Sequence, residues 1–309
     1  MRIAIAVLVI SLSGLTVLAQ GPPTLRIVTE VPNLPSELFY GDIKVKPLRL
    51  RPGTNTPVTI NDADFFVHQQ YVDFLSRMPD PNGFPFWVNQ ITSCGSNAAC
   101  VDGQRVNSSA AFFLSIEFRG TGYFVYRLHK GSFGDLPRYA TFMPDAREVG
   151  NGVIVGNSTD WEAILNANQT AFANAWVDRP AFLARYPTTD ANTYVTSLIA
   201  TAGLTGQLDP ARIVSEMSGV GGGYPSAAAR AVGLRRVIES AAFDTREKSP
   251  AFVLMQYFGY LRRNPNDAPD NNLNGYNFWL TKLNQHNGDF HAAEMVRSFI
   301  VAGEYNSRF

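Results

Sequence analysis

Residues that commonly carry chemistry are scarce in this chain. Its 309 residues include 2 cysteines and 4 histidines, and only 17% carry a charge. Zinc is held mostly by Cys and His, helped by carboxylates, and the sequence has neither an HExxH pair nor a second pair of cysteines. No GxSxG elbow occurs, and neither cysteine stands with a histidine in a nucleophile setting. Lys and Arg total 26 against 26 Asp and Glu. No basic block accompanies that balance, so nucleic-acid binding, which needs a basic footprint, is disfavoured. After Ala19 no run is long and apolar enough to span a bilayer. What is plentiful is core material: 45% of residues are hydrophobic and 12% aromatic, enough for a packed globular chain and too uncharged for a disordered one.

The first nineteen residues, MRIAIAVLVISLSGLTVLA, carry one early charge, an apolar run from Ile3 to Leu18 and a small-residue cleavage site at Val17-Leu18-Ala19. This is the pattern of a secretory signal peptide. It predicts a secreted, periplasmic or cell-surface protein with no membrane span after cleavage. Cys94 and Cys100 lie six residues apart in CGSNAAC, and an exported chain meets an oxidising compartment, so the two are expected to form a disulfide.

Residues 20–60 are rich in Pro, Gly and Thr and read as an extended N-terminal arm with one or two strands, laid on the domain C-terminal to it. From Asn61 the apolar spacing becomes helical. Residues 61–309 are expected to be all-α, repeated helical units forming one compact helical domain. The evidence is self-similarity: QYVDFLSRMPDPNGFPFW at Gln70–Trp87 returns as QYFGYLRRNPNDAPDNNLNGYNFW at Gln256–Trp279, and FFLSIEF at Phe112–Phe118 returns as FIVAGEY at Phe299–Tyr305. The clear copies span about 64–118 and 250–305. Between them, TYVTSLIATAG and LRRVIESAAF mark a fainter copy at about 190–243 that lacks the Arg, the Trp and the turn. Each clear copy predicts one helix ending at an Arg-Pro turn, a second carrying the Trp, and a third whose end carries the Glu.

On these residues the chain resembles the bacterial domain of unknown function 4214 family. That family's pattern, Tyr-x-x-x-Leu-x-Arg-x-Pro-Asp, then Gly and Trp, then Phe-x-x-Ser-x-Glu-Phe, is similar to the one in phycobilisome linker domains. The resemblance implies an all-helical, exported or cell-surface module with no established activity. The second copy departs from the pattern with Asn266 for the Asp and Ala302 for the Ser, which argues against a catalytic duty at either place.

Four sets of residues are candidates for chemistry. Arg77 with Glu117, and Arg263 with Glu304, are expected to form charge-assisted structural pairs across helix ends. The alternative is an exported hydrolase using Glu117 or Glu304 as acid or base, which needs a second carboxylate that the pattern does not supply twice. Asp270, Asn272 and Asn274 match the front half of a calcium loop, although the closing position is Thr281 where an EF-hand has Glu. Trp161, Trp176, Tyr139 and Tyr224 are a possible ligand face on residue type alone, whereas Trp87, Trp279, Phe86 and Phe278 read as core packing. No cofactor is expected. The composite expectation is a non-catalytic exported or cell-surface interaction or scaffold module that binds a protein or polysaccharide partner, with the hydrolase and a calcium-binding surface module as alternatives.

Overall fold

The computed structural model describes the backbone of residues 25–28, 37–40 and 43–44, together with Thr54, residues 56–156 and residues 160–309. The signal-peptide reading lies outside the described residues. Two units are distinguished, Met1–Thr59 and Ile60–Phe309. In the first, strands β1 (Leu25–Val28), β2 (Glu37–Tyr40) and β3 (Ile43–Lys44) pair antiparallel in that order, with Leu25 opposite Tyr40 and Tyr40 opposite Ile43. That is three strands where the alternation suggested one or two; Leu25–Val28 and the run that begins at Ile43 are the alternating ones, and Glu37–Tyr40 is the addition.

The second unit is all-α. It opens with α1 (Ala63–Leu75), α2 (Gly83–Thr92), α3 (Ala98–Leu114) and the short α4 (Ile116–Gly120). Then come α5 (Gly122–Phe133), α6 (Tyr139–Val149), α7 (Trp161–Val177), α8 (Pro180–Arg185), α9 (Ala191–Thr201), α10 (Pro210–Ser218) and α11 (Ala227–Ile238). The long α12 (Ala241–Gln256) runs into a π-helical turn at Tyr257–Leu261, and α13 (Asn274–Gln285), α14 (Met295–Ile300) and α15 (Gly303–Asn306) complete it. The core centres on α5. Phe124, Val125, Tyr126 and Leu128 are fully enclosed, and the helix packs against α4, α6, α9, α11 and α12.

The third helix of each clear copy does not itself carry the Glu, as the spacing suggested. Ser115 turns to an extended conformation (ψ 151°), ends α3, and accepts the Phe118 N–H on its hydroxyl to start α4. Glu117 therefore lies in the first turn of a new helix, near the N-terminal ends of backbone dipoles that favour an anion. Ala302 bends the chain at the corresponding point (ψ 136°) and Glu304 opens α15. The stretch FHAAEM is also not helical throughout. Gly288 (φ 83°) and Glu294 (φ 53°) adopt left-handed conformations, so α14 begins only at Met295. In the middle stretch, Ser240 caps α12 through the Phe243 N–H as Ser115 caps α4. Counting from that cap, Ala242 stands where Glu117 does. The middle stretch thus lacks both members of the ion pair, which avoids leaving one charge without its partner.

Candidate functional site

Each Arg reaches its Glu from a helix end with one particular shape. Ser76 (φ 55°, ψ 28°) and Arg262 (φ 51°, ψ 38°) terminate their helices in the left-handed region, a conformation that costs a side-chain-bearing residue about 1–2 kcal/mol. The turns close alike: the Arg77 N–H donates to the Tyr71 carbonyl at 3.4 Å, and the Arg263 N–H to the Tyr257 carbonyl at 3.5 Å. The chain reverses there and carries the guanidinium across to the short helix. Arg77 Nε and Nη2 donate to Glu117 at 2.5 and 2.8 Å. Arg263 Nε and Nη2 donate to Glu304 at 2.5 and 3.0 Å. Both are two-point guanidinium–carboxylate clamps, the strongest geometry available to such a pair.

A second acid and an aromatic wall surround each clamp. Asp80 Oδ2 lies 3.4 Å from Arg77 Nη2, while its other oxygen accepts the N–H of Gly83, the first residue of α2, at 2.6 Å. In the second copy Asp270, at 2.8 Å from Arg263 Nη2, takes this place. Sequence alignment put Asn266 there. The longer turn carries Asn266 outward, where its side-chain Oδ1 accepts from Arg138 Nη1 at 2.8 Å. The guanidinium of Arg77 sits 5.0 Å from the Tyr71 ring centre and that of Arg263 5.5 Å from Tyr257. Those rings stand edge-on to Phe112 and Phe299 at 4.7 and 5.1 Å, and Trp87 and Trp279 lie 5.8 Å from the same two phenyl rings. Burial, reinforced by Asp80, holds the Tyr71 hydroxyl well above its ordinary range. Burial beside Asp270 pushes Tyr257 up to about 12. Both phenols are therefore neutral donors at any working pH.

Gly83 and Gly275 fit this wall because they have no side chain. A Cβ on Gly83 would fall 2.9 Å from Asp80 Oδ2 and closer still to the Tyr71 hydroxyl; one on Gly275 would fall 2.6 Å from the Tyr257 hydroxyl. Gly83→Ala is expected to lower stability by about 1–3 kcal/mol through overpacking. Gly103→Ala, in α3 with open space around its Cβ, should raise it by about 0.5–1 kcal/mol. Urea midpoints of the two variants shifting in opposite directions is the expected result; a shared direction would contradict it.

Sequence reasoning missed two buried acids, Asp73 and Glu247. Glu247, 2% exposed, lies at the edge of an open cleft of about 600 Å³ whose other walls include Lys130, Asp135, Arg138 and Tyr276. Its Oε2 accepts from the Tyr126 hydroxyl at 2.7 Å and its Oε1 from Arg246 Nε at 3.1 Å. Asp135, the other acid there, meets His129 at 3.0 Å. Each carboxylate is thus engaged by a donor. In sequence, Arg246-Glu247-Lys248 looks like a solvated helix face, and only the packing of α12 on α5 encloses the middle residue.

Two histidines give the fold a pH dependence. Burial lowers His68 against the opposing pull of Asp73, and burial lowers His129 against Asp135. His68 has both ring nitrogens enclosed with no hydrogen-bond partner. As pH falls through the ordinary value of 6.5, the unfolded chain takes up protons that the folded chain resists, so stability is full above that value and declines below it. The urea midpoint is expected to drop between about pH 7.5 and about pH 5.5, and His68→Gln should flatten the drop. An equal drop in that variant would rule His68 out as a source.

The remaining candidates are dispersed. Trp176 is 3% exposed and donates to Ser132 Oγ at 3.0 Å, so it belongs to the core and not to a ligand face. Trp161 and Tyr139 are half-buried, Tyr139 against Phe258, and the Tyr224 hydroxyl donates to the Thr188 carbonyl at 2.6 Å. The calcium reading meets a competing partner, because Asp270 already binds Arg263 and Asn272 Oδ1 accepts the Asn274 N–H. Among the described residues no group of three or more His, Cys, Asp or Glu is placed to hold a metal ion. Cys94 and Cys100 form a disulfide with Cα atoms 5.5 Å apart. No helix among the described residues is long and apolar enough to cross a membrane. The core reading fails for two aromatic residues: Phe86 is 54% and Phe278 56% exposed. Their helices bury the opposite side, through Ile91 and through Tyr276 and Leu283. Comparison with protein-family models, with curated proteins and with solved structures returned no match.

Proposed function

We propose that this chain is an exported, non-catalytic interaction module built from helical units of the domain of unknown function 4214 type, two of them carrying a complete Arg–Glu clamp. The observation that carries the reading is that Glu117 and Glu304 are both held two-point by a guanidinium. A hydrolytic acid or base has to offer a carboxyl oxygen to substrate or water, whereas here both oxygens of each Glu face an Arg. The clamps instead fix the turn that leads into α2 or α13, and those helices present Phe86 and Phe278 to solvent. Export is supported by the charged, apolar and small-residue order of the first nineteen residues and by the disulfide, which persists in oxidising compartments.

The test is incubation of the mature chain, Gln20–Phe309, with cell-envelope material and with cell-wall and exopolysaccharide fragments. Co-sedimentation without release of soluble reducing ends is expected. Release of reducing ends that Glu117→Gln or Glu304→Gln abolishes would overturn the reading in favour of the hydrolase. A melting temperature unchanged by chelator is expected as well, and a chelator-dependent fall would favour the calcium-binding alternative.

A further inference from the structure

Phe86 and Phe278 are the two aromatic side chains among the exposed large apolar residues that are described. They occupy the same place on corresponding helices. Each is braced edge-on by the following tryptophan, at 4.9 Å and 78° for Phe86–Trp87 and 4.9 Å and 77° for Phe278–Trp279. The tryptophans are half-buried against Phe112 and Phe299. The edge-on contact restricts the orientation of each exposed ring, which reduces the ordering cost of binding.

The neighbours of each ring are neutral hydrogen-bonding groups at one-turn spacings. Around Phe278 stand Asn274, Thr281 and Gln285, four residues before and three and seven after; around Phe86 stand Asn82, Asn89 and Ser93 at the same offsets. Positions three, four and seven apart share a helix face. Lys282, the charged residue on the α13 face, lies 3.6 Å from Glu294 and 5.5 Å from the Trp279 ring, so its charge is already matched. A shallow concavity of about 510 Å³ runs beside Phe278 along these residues.

A flat aromatic ring bordered by amides and hydroxyls, without net charge, complements a pyranose: the C–H face of the sugar lies on the ring and its hydroxyls meet the amides. A protein partner would want a larger dry apolar centre, since stable protein interfaces bury about 800 Å² on each side around an apolar core. An anionic polymer would want cations. Two matching faces on one chain also suit a partner that repeats, because a second contact to the same polymer becomes intramolecular. Resting on the interaction-module reading above, we propose that the α2 and α13 faces each bind a short run of a neutral polysaccharide, whose pyranose units stack on Phe86 and Phe278.

Calorimetric titration of the mature chain with chitohexaose, cellohexaose and α-linked maltohexaose tests this directly. Two sites per chain are expected for at least one of these neutral oligomers. Phe86→Ala and Phe278→Ala should each leave one site, and the double variant none. On insoluble chitin or cellulose each single variant should weaken retention by about tenfold or more, since loss of the second contact removes the intramolecular advantage. Both rings are exposed, so the variants should melt within about 2 °C of the parent. Absence of binding to all three oligomers and to both polymers overturns the proposal, as does binding that survives in the double variant. Release of reducing ends is a separate readout, and it would overturn the non-catalytic reading beneath the proposal.

Discussion

Glu117→Ala is expected to lower the free energy of unfolding by about 3–5 kcal/mol, the usual cost of leaving one partner of a buried ion pair behind. The side chain of Glu117 is 7% exposed and that of Arg77 16%, and the nearby Asp80 lies 3.4 Å away, already committed to the Gly83 N–H. Arg77 would therefore keep its charge in a poorly solvated place with one distant counter-ion. Glu304→Ala tests the same argument from the other side. Glu304 is 37% exposed, and Arg263 retains Asp270 at 2.8 Å. Its loss should cost about 1–2 kcal/mol. Urea titrations with unchanged slope would measure both. Equal losses would mean that burial does not set the strength of these clamps. The double variant Arg77→Met/Glu117→Leu should be less damaging than Glu117→Ala, because it removes both charges together.

Asp73→Ala should be at least as damaging, also about 3–5 kcal/mol. Asp73 is 6% exposed and holds two guanidiniums: Arg262 Nη2 at 2.9 Å, and Arg308 Nη2 at 2.9 and 3.1 Å. Arg308 spends its other nitrogen on the Gly259 and Tyr260 carbonyls at 2.8 and 2.7 Å. Removing the carboxylate strands two cations, one of them with a side chain only 13% exposed. Among the partners, Arg308→Ala should cost more than Arg262→Ala, whose side chain is 47% exposed and can be hydrated once freed. The reverse order, measured by the same titrations, would contradict this account.

Recurrence makes some of this legible in sequence. Arg77 and Glu117 are 40 residues apart, yet Arg263 and Glu304 recur together at 41, and charges that appear and vanish as a pair mark each other. The middle stretch, with neither, carries the same information. The helical class follows from apolar spacing in α1, α2 and α13. The same logic is silent wherever the copies differ. Gln70-Tyr71-Val72-Asp73 aligns with Gln256-Tyr257-Phe258-Gly259, and nothing in that alignment says that Asp73 gathers two arginines, or that Gly259 is small because the Phe74 ring would meet a Cβ there at 2.7 Å. Asn266 aligns with Asp80 in sequence while Asp270 replaces it in space, because register inside a lengthened turn depends on loop closure and not on residue count. Phe86 and Phe278 misled for another reason. Helical recurrence says that a position is kept on one face, and an aromatic residue raises the expectation that the face is buried; which face points outward depends on neighbours that the local pattern does not contain.

The contacts of Asp73 carry one more consequence. Arg308 meets it from 235 residues away, Phe309 stacks edge-on to Phe65 at 5.3 Å, and α14 lies against α3. An open stack of helical units offers a fresh surface at each end, and copies can be gained or lost there without disturbing the rest. In the Ile60–Phe309 unit residues far apart in sequence meet instead: Asp73 is shared by Arg262 and Arg308, so loosening either stretch has to break the same ionic junction.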